Sequence, residues 1–567
     1  MQRNIFMKYT ILLLFWFNIG FSQSPYPQDY FRSPLDVTLV LSGTFAELRS
    51  NHFHSGIDIK TQQRTGLNVY GVAEGYVSRI KVSHYGYGKA LYITHPNGYV
   101  SVYAHLSKFS PRIQKYIKEC QYDKESYEVE VFPSPDELLI TADEIVAFSG
   151  NSGSSGGPHL HFEIRDNEER PINPMLFGMD IKDTKPPVLS AVYAYPRDRN
   201  AHINNIKKRK ELRLIPNEKG DYTTEPIEAY GDIGFGVVTY DQQDLAYNKN
   251  GLSNIQGFYN GNKTFEMDFK RFSFAESKHI NRFIDYEVYK EENSRIQKLF
   301  VQSGNTLSML KDVNASGYIT VEDSTNTVYK VRLRDFRGNE SWLSIPVKGQ
   351  PAKEILEAPE LKPNTYIIAN QVNELEQGNV SVYFPTNTFY DDFHINFSVL
   401  NDTLKLHKNT IPLMKSYTIT FDIKNYSVAD KDQLFIANLY GYYQRPGYIS
   451  TKRLGDLLSA RTKSLGTFTL ARDTVNPTIK PVNFQEGKWL SKLNELKVKI
   501  DDDLSGISNY RATINGKWIL MEYDYKKDTL TYDFDDHINT ATENNLKIIV
   551  TDNVGNSTTF ESIFFRK

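Results

Sequence analysis

Cysteine is all but absent from this chain of 567 residues: Cys120 stands alone. That excludes an intrachain disulfide, and with it a Cys₄ or Cys₂His₂ zinc site, each of which needs more than one thiolate. An excess of positive charge is also missing. Lys and Arg number 66 against 68 Asp and Glu, a net charge of −2, so the chain lacks the basic face that grips nucleic-acid phosphates. After the N-terminal apolar run, no stretch is long and apolar enough to span a bilayer, which takes about 20 residues. No glycine-rich segment ends in Gly-Lys-Ser/Thr, so a phosphate-cradling loop is excluded as well.

What is present points to a β-rich globular protein. Hydrophobic residues are 40% and charged residues 24%, which excludes a mostly disordered chain. Aromatics reach 13%, with 37 Tyr and 33 Phe, the residues that fit pleated, half-buried surfaces. At roughly 150 residues per domain the length suggests three or four domains. The first 22 residues read as an export signal. Arg3 and Lys8 supply charge, Ile11 to Phe17 is an apolar run too short for a span, and Gly20-Phe21-Ser22 offers small residues for cleavage after Ser22. No Cys follows to carry a lipid. The expectation is an exported protein of the periplasm or cell envelope, or a secreted one, with no membrane span after cleavage. A nearly Cys-free exported chain suits a bacterial envelope.

The expected organisation is a signal peptide over 1–22, a first domain over 30–182, and β-domains over 183–349, 350–472 and 473–567. Asp183-Thr-Lys-Pro-Pro187 and Asp473-Thr-Val-Asn-Pro477 each open a segment. The two segments close on related phrases, Asp335-Phe-Arg-Gly-Asn339 and Asp552-Asn-Val-Gly-Asn556, in which a strand runs into an Asp-x-x-Gly-Asn turn and a last strand follows. This divergent repeat resembles bacterial immunoglobulin-like sandwiches. The segment 350–472 reads as a third β-domain of unknown type, from runs such as Val380 to Phe384 and Tyr417 to Phe421. Asp501-Asp502-Asp503 reads as a solvated turn, because no full calcium loop follows it.

Seven of the twelve histidines fall between His52 and His161, under a fifth of the chain, which marks that window as a site. Three segments in it alternate. In His54-Ser-Gly-Ile-Asp58, period two puts His54, Gly56 and Asp58 on one face, with open space expected over Gly56. Ala90 to His95 and Tyr99 to Ser107 read as a hairpin around Pro96-Asn97-Gly98. On its second strand Val100, Val102, Ala104 and Leu106 form an apolar face, which places Tyr99, Ser101, Tyr103 and His105 on the polar one. In His159-Leu-His161-Phe-Glu163, two imidazoles about 7 Å apart along the strand can meet one small site. Upstream, Gly150 to Pro158 reads as a flexible loop walling a groove. His52, His84 and His95 read as supporting, rim or turn residues, and Glu163 as a support or salt-bridge partner.

Two His and one Asp suit Zn²⁺, and three protein ligands leave a fourth position for water, the mark of a catalytic site. Two further His near that water could move its proton and steady an oxyanion, which suits amide hydrolysis. A two-His, one-carboxylate iron oxygenase is disfavoured by the extra histidines and by export. Phe53-His-Ser-Gly-Ile-Asp58, Tyr103-Ala-His105-Leu and Gly157-Pro-His-Leu-His-Phe-Glu163, together with the glycine-punctuated Val69 to Arg79 and Tyr85 to Lys89, resemble the motifs of the M23 peptidases. This is the lysostaphin-type or LytM family of peptidoglycan endopeptidases.

The resemblance covers about a quarter of the chain. It implies a LytM-type antiparallel β-sheet peptidase domain, so the expected fold is mainly β, with β-sandwich domains following. It implies that His54, Asp58 and His161 hold one Zn²⁺ per chain, and that His105 and His159 are the catalytic pair. All five positions are filled, as in active members. The expected function is hydrolysis of peptide cross-links in peptidoglycan during wall remodelling. The alternative is a non-enzymatic envelope protein that binds or scaffolds other wall hydrolases. Expected partners are peptidoglycan and envelope proteins met through the β-domains. An insertion over 109–137 departs from the family pattern. Ile113, Tyr116, Ile117 and Cys120 at helical spacing suggest an amphipathic helix beside the groove, packing Cys120 on the core and able to cover the groove.

Overall fold

The computed structural model describes residues 25–218, 220–352, 363, 365–534 and 541–567. The export signal read over 1–22 lies outside them. The chain is about 46% strand and 7% helix, so the mainly β expectation holds. Among the described residues no helix is long and apolar enough to cross a membrane.

The first domain is built from β1 (Leu41–Gly43), β2 (Ile57–Lys60), β3 (Asn68–Tyr70), β4 (Gly75–Val82), β5 (Lys89–Thr94), β6 (Val100–Ala104), β7 (Lys108–Phe109), α1 (Pro111–Asp123), β8 (Val129–Val131), β9 (Leu139–Ile140), β10 (Ile145–Phe148), β11 (His159–Arg165) and β12 (Pro171–Ile172). The main sheet runs β1-β2-β11-β6-β5-β4-β8, and β3-β10-β7 form a small second sheet. Between them lies an apolar core that includes Ile57, Ile59, Leu91, Ile93, Tyr103, Leu106, Val146, Leu160, Phe162 and Ile164. Burying a Phe or Leu side chain contributes about 1.5–3 kcal/mol, so this core is what holds the main sheet in place. The hairpin expected at Asn97-Gly98 is there: Gly98 takes φ +85°, and the His95 N–H donates to the Tyr99 carbonyl at 2.9 Å.

Register corrects the reading of the β6 faces. His161 stands opposite Ala104 and Glu163 opposite Val102, so the apolar Val102 and Ala104 lie on the histidine side of the sheet. They form a small separate cluster there with Ala90, Tyr92 and Val100. Ser101 and Tyr103 turn into the core side instead, where the Ser101 hydroxyl meets the Tyr103 hydroxyl at 3.1 Å. Period two grouped the residues correctly, but it could not tell which group faced the deeper core. Polarity misled because the Tyr103 hydroxyl is satisfied inside, accepting from the Val72 N–H at 3.0 Å.

The insertion is also placed differently from the expectation. In α1 the buried side chains are Ile113, Ile117 and Gln121, a strict i, i+4 stripe, while Cys120 is half-buried. The segment after the helix supplies β8, which pairs with β4 at the sheet edge far from β11. It therefore widens the sheet and does not cover the histidine face.

Residues 183–349 form one connected 13-stranded sheet. Residues beyond 364 form two five-stranded sheets with a two-stranded ribbon. Residues from 478 to the C-terminus form two four-stranded sheets around their own core. Two of these units pack against the first domain. Phe45, Ala46 and Phe53 from the first domain join the core of the second. From the last domain, Leu520 joins the core of the first. Arg511 pairs with Glu125 at 2.6 Å, and the Trp518 ring meets the Tyr122 ring edge-on at 5.1 Å. The insertion thus serves as the platform on which the last domain sits.

Candidate metal centre

Three side chains from two neighbouring strands and the segment before β2 converge on one point. His54 Nε2 lies 3.0 Å from Asp58 Oδ1 and 3.0 Å from His161 Nδ1. His161 Nδ1 lies 2.9 Å from the same Asp58 oxygen. The convergence follows from pairing: β2 and β11 are antiparallel neighbours with Asp58 opposite His161. His54 lies before the strand, not on it, and reaches the point from an irregular segment. Gly56 was expected to leave open space, but a Cβ there would stand 2.2 Å from the Phe162 carbonyl. Glycine is needed at this position because the β11 backbone passes through it.

The outer nitrogens of the two histidines settle where their protons are. His54 Nδ1 lies 2.7 Å from the Thr44 carbonyl, which can only accept, so the proton is on Nδ1 and Nε2 turns a lone pair inward. His161 Nε2 lies 2.8 Å from Glu163 Oε1, so its Nδ1 likewise turns a lone pair inward. Three electron-pair donors then face one another with no donated hydrogen between them. That arrangement suits a divalent cation bound by two neutral imidazoles and a carboxylate. Without such an ion the pocket draws a proton. Burial opposes a charge on His161, yet Asp58 and Glu163 on its two sides push its pKa up to about 9. Burial also opposes the Asp58 charge, but His54, His159 and His161 hold its carboxyl well below the usual range. The second Asp58 oxygen is held by Arg49 at 3.1 Å.

Behind the donors sits a buried anion. Glu163 is fully buried, and its carboxylate accepts from Ser55 Oγ at 2.7 Å, from the Tyr87 hydroxyl, from His161, and from Arg165 Nε at 2.6 Å. Burial works against its charge, but Arg165 and His161 keep it ionised, with its pKa far below the normal carboxylate value. The support role read for Glu163 fits this geometry. Arg49, Thr44, Tyr87 and Arg165 were not read from the sequence. Only Arg165, two residues beyond Glu163 on the same strand face, left a signal there.

His105 and His159 flank the triangle. Their ring centroids are 4.8 Å apart, and His105 is 5.8 Å from the His161 ring. His159 Nε2 stands 3.4 Å from Asp58 Oδ1. His105 was expected on a strand face. Strand β6 instead ends at Ala104, and His105 takes φ +58°, a left-handed conformation that costs a side chain about 1–2 kcal/mol. That twist swings its ring to the histidine side while Leu106 returns to the core. His105 Nδ1 donates to the Ser152 carbonyl at 2.9 Å, and His159 Nδ1 donates to the Gly157 carbonyl at 2.8 Å. In a neutral ring so anchored, the lone pair lies on Nε2. Burial first, and then the neighbouring His161 and His159, push the His105 pKa down to about 3, so it stays neutral.

Both anchoring carbonyls belong to the glycine-rich loop, which is pinned and not free. A Cβ on Gly153 (φ +66°) would stand 2.3 Å from the Gly88 nitrogen. Lys89 N–H donates to Ser152 Oγ at 3.0 Å, and Gly86 N–H donates to Ser154 Oγ at 3.0 Å. The last domain holds the loop's outer side. There Lys526 Nζ donates to the Asn151 and Ser155 carbonyls, and the Tyr525 hydroxyl donates to the Gly153 carbonyl at 3.4 Å. Beside this contact Lys89 pairs with Glu522 at 2.8 Å. The remaining histidines stand apart from the triangle. His52 is exposed against Asn51, His84 stacks on Tyr127, and His95 is buried on the core side between the Glu74 carbonyl and Ser101.

Two segments of the chain match known families. Residues 52–122 match peptidase family M23, and residues 364–473 match the Zu5-like domain. The N-terminal domain thus carries the match to peptidase family M23, a metallopeptidase family. Over 128 residues the chain is 34% identical to the DD-carboxypeptidase/endopeptidase Mpg of Neisseria meningitidis serogroup B, 23% of each protein. Over 122 residues it is 30% identical to an uncharacterized metalloprotease of Haemophilus influenzae, 22% of this chain and 20% of that one. The chain thus spans under a quarter of the length of these curated relatives. Among solved structures, a mutant catalytic domain of the M23 protein EnpA from Enterococcus faecalis aligns at 23% identity with a TM-score of 0.19, covering 27% of this chain and 98% of that one. The catalytic domain of lysostaphin from Staphylococcus simulans aligns at 24% identity with a TM-score of 0.18, covering 24% of this chain and 88% of that one.

Proposed function

We propose that the chain is an exported zinc endopeptidase that hydrolyses peptide cross-links of bacterial peptidoglycan. The observation that carries this reading is the set of three inward lone pairs on His54, Asp58 and His161, with both outer imidazole protons already committed. These residues would hold Zn²⁺, which supplies a Lewis acid for the scissile carbonyl and lowers the pKa of water toward neutrality. The Mpg relative, described as a DD-carboxypeptidase/endopeptidase, supports wall peptides as the substrate class.

In this reading the chain's own groups do the following. His105 and His159 are anchored through Nδ1, so each Nε2 is free to take a proton from an attacking water and return it to the leaving amine. Their imidazoles, once protonated, donate to the developing oxyanion. Glu163, through His161, fixes the tautomer and raises the basicity of the inward nitrogen. The experiment is digestion of purified sacculi by the wild-type protein and by His54→Ala, read as released muropeptides by mass spectrometry. Release by the wild type alone is expected. Equal release by both would reject the metal mechanism, and no release by either would leave a binding protein.

A further inference from the structure

Two groups of carboxylates lie outside the histidine site. Asp183, Asp241 and Asp335 bring oxygens within 4.8 Å of one another, and so do Asp473, Asp502 and Asp552. The groups are topological copies. Asp241 directly follows the strand Ile227–Tyr240, and Asp502 directly follows Glu495–Asp501. Each of those strands pairs with the opening strand of its own domain, Val188–Pro196 or Thr478–Pro481. Asp335 and Asp552 begin the two Asp-x-x-Gly-Asn turns. Each accepts from the Gly and Asn N–H groups through Oδ1, and from the Asn side chain through Oδ2 at 2.7 Å. Asp183 and Asp473 come from the linkers, and their carbonyls accept from Asn339 and Asn556 at 3.2 Å in both cases. Asp501 and Asp503 are exposed, as the solvated-turn reading has them, and Asp502 alone joins the group, because its partners come from distant elements.

Two buried oxygens lack a donor. Asp241 is 3% exposed, and its Oδ1 has no hydrogen-bond partner. Gln243, also 3% exposed, leaves its Oε1 unpartnered. Asp183, Asp241 and Gln243 line one small cavity of about 10 Å³ together with Thr44, Phe45 and Met175 of the first domain. A space of that size holds a single ion or water. In the copy, Asp502 Oδ1 is likewise buried without a partner. Among the described residues no Lys or Arg forms an ion pair with any of the six carboxylates.

We propose that Asp183, Asp241 and Asp335, with the Gln243 carboxamide, form a calcium site at the joint between the peptidase domain and the second domain, and that Asp473, Asp502 and Asp552 form its counterpart at the start of the last domain. The donors are all oxygen, which selects a hard cation. Magnesium demands near-ideal octahedral geometry, whereas calcium accepts an irregular oxygen shell such as three carboxylates from separate elements and a carboxamide provide. A cation there would tie linker, strand end and closing turn together, and so set the angle at which each domain leaves its predecessor.

The test is equilibrium dialysis of the zinc-loaded full chain against calcium, with thermal melting in calcium and in calcium-free buffer. Two calcium ions per chain are expected, falling to one in Asp241→Asn and one in Asp502→Asn, and to none in the double variant. Melting of the wild type should rise with calcium, and the double variant should lose that response while remaining folded, because Asn relieves the charge repulsion. His54→Ala should keep both calcium ions, which separates this result from failure of the histidine site. A wild type that binds no calcium at millimolar concentration, or whose melting responds to pH and not to calcium, overturns the proposal in favour of shared protons. Stoichiometry unchanged by Asp241→Asn overturns the assignment at the joint.

Discussion

Glu163 and His161 stand two residues apart on one strand, and the Glu163 carboxylate accepts the His161 Nε2 proton at 2.8 Å within a fully buried site. This single bond fixes which nitrogen of His161 faces Asp58. It also hands the buried charge on Glu163 to Arg165, so the donor set, its orienting anion and that anion's counter-charge form one chain of contacts.

Replacing that anion should therefore loosen the metal. Glu163→Gln keeps the shape but replaces the carboxylate with a neutral amide, a weaker acceptor for the His161 proton and no counter-charge for Arg165. Zinc affinity is expected to fall about 10–100-fold. Competition with a chromophoric chelator measures it, and unchanged affinity would remove Glu163 from the site.

His105 should separate chemistry from metal binding. It lies beside the triangle and is not part of it, so His105→Gln should keep the full zinc content. Muropeptide release should drop about 10²–10⁴-fold, the usual contribution of a general acid–base group. Loss of zinc along with activity would place His105 among the ligands instead.

The second domain should matter to the site although it touches no donor. Phe53, next to His54, packs its ring 5.6 Å from Phe272, and its N–H donates to Ser277 Oγ at 2.9 Å. Thr44, whose carbonyl orients His54, accepts from the Gly251 N–H at 2.8 Å through Oγ1. Phe272→Ala should cost about 3–5 kcal/mol of stability by leaving a cavity. It should also weaken zinc binding, as read by denaturant unfolding and the same chelator competition. A stability loss with zinc affinity intact would show that the brace does not reach His54.

Lys298 provides a pH test of the second domain. Burial first, and then Arg282, push its pKa down to about 7, and its ammonium has Gln302 Oε1 at 2.5 Å. The depressed value means that the unfolded chain binds the proton more tightly, so stability is lost as pH falls through about 7 and regained toward the unfolded value above 10. Lys298→Met should therefore stabilise the protein by about 1 kcal/mol or more at pH 6, and by less at pH 10. Denaturant midpoints at the two pH values check this, and a pH-independent difference would contradict the shift.

Local pattern was enough for part of the site. Alternation in His159 to Ile164 shows which side chains of β11 leave the core, Asn97-Gly98 gives a hairpin, and the five polar residues of the three motifs do gather within a few ångströms. Period alone failed at Ser101 and Tyr103, because a buried tyrosine hydroxyl with its own donor looks polar in the sequence. It failed again at His105, whose side is set by one left-handed residue at a strand end, and at Cys120, where a helix stripe was placed one position off.

The sequence by itself determined the chemistry available: imidazoles and a carboxylate at strand spacing, no thiols, no basic face, and two divergent copies of one turn. Tertiary structure alone decided what braces that chemistry. Tyr87 and Phe272 act on the site from distant points in the chain, and the last domain grips the loop that anchors His105 and His159. The carboxylate of Asp502 finds Asp473 and Asp552 in the same way. Proximity of this kind is produced by strand pairing and core burial between segments that share no local pattern, so no window of sequence contains it.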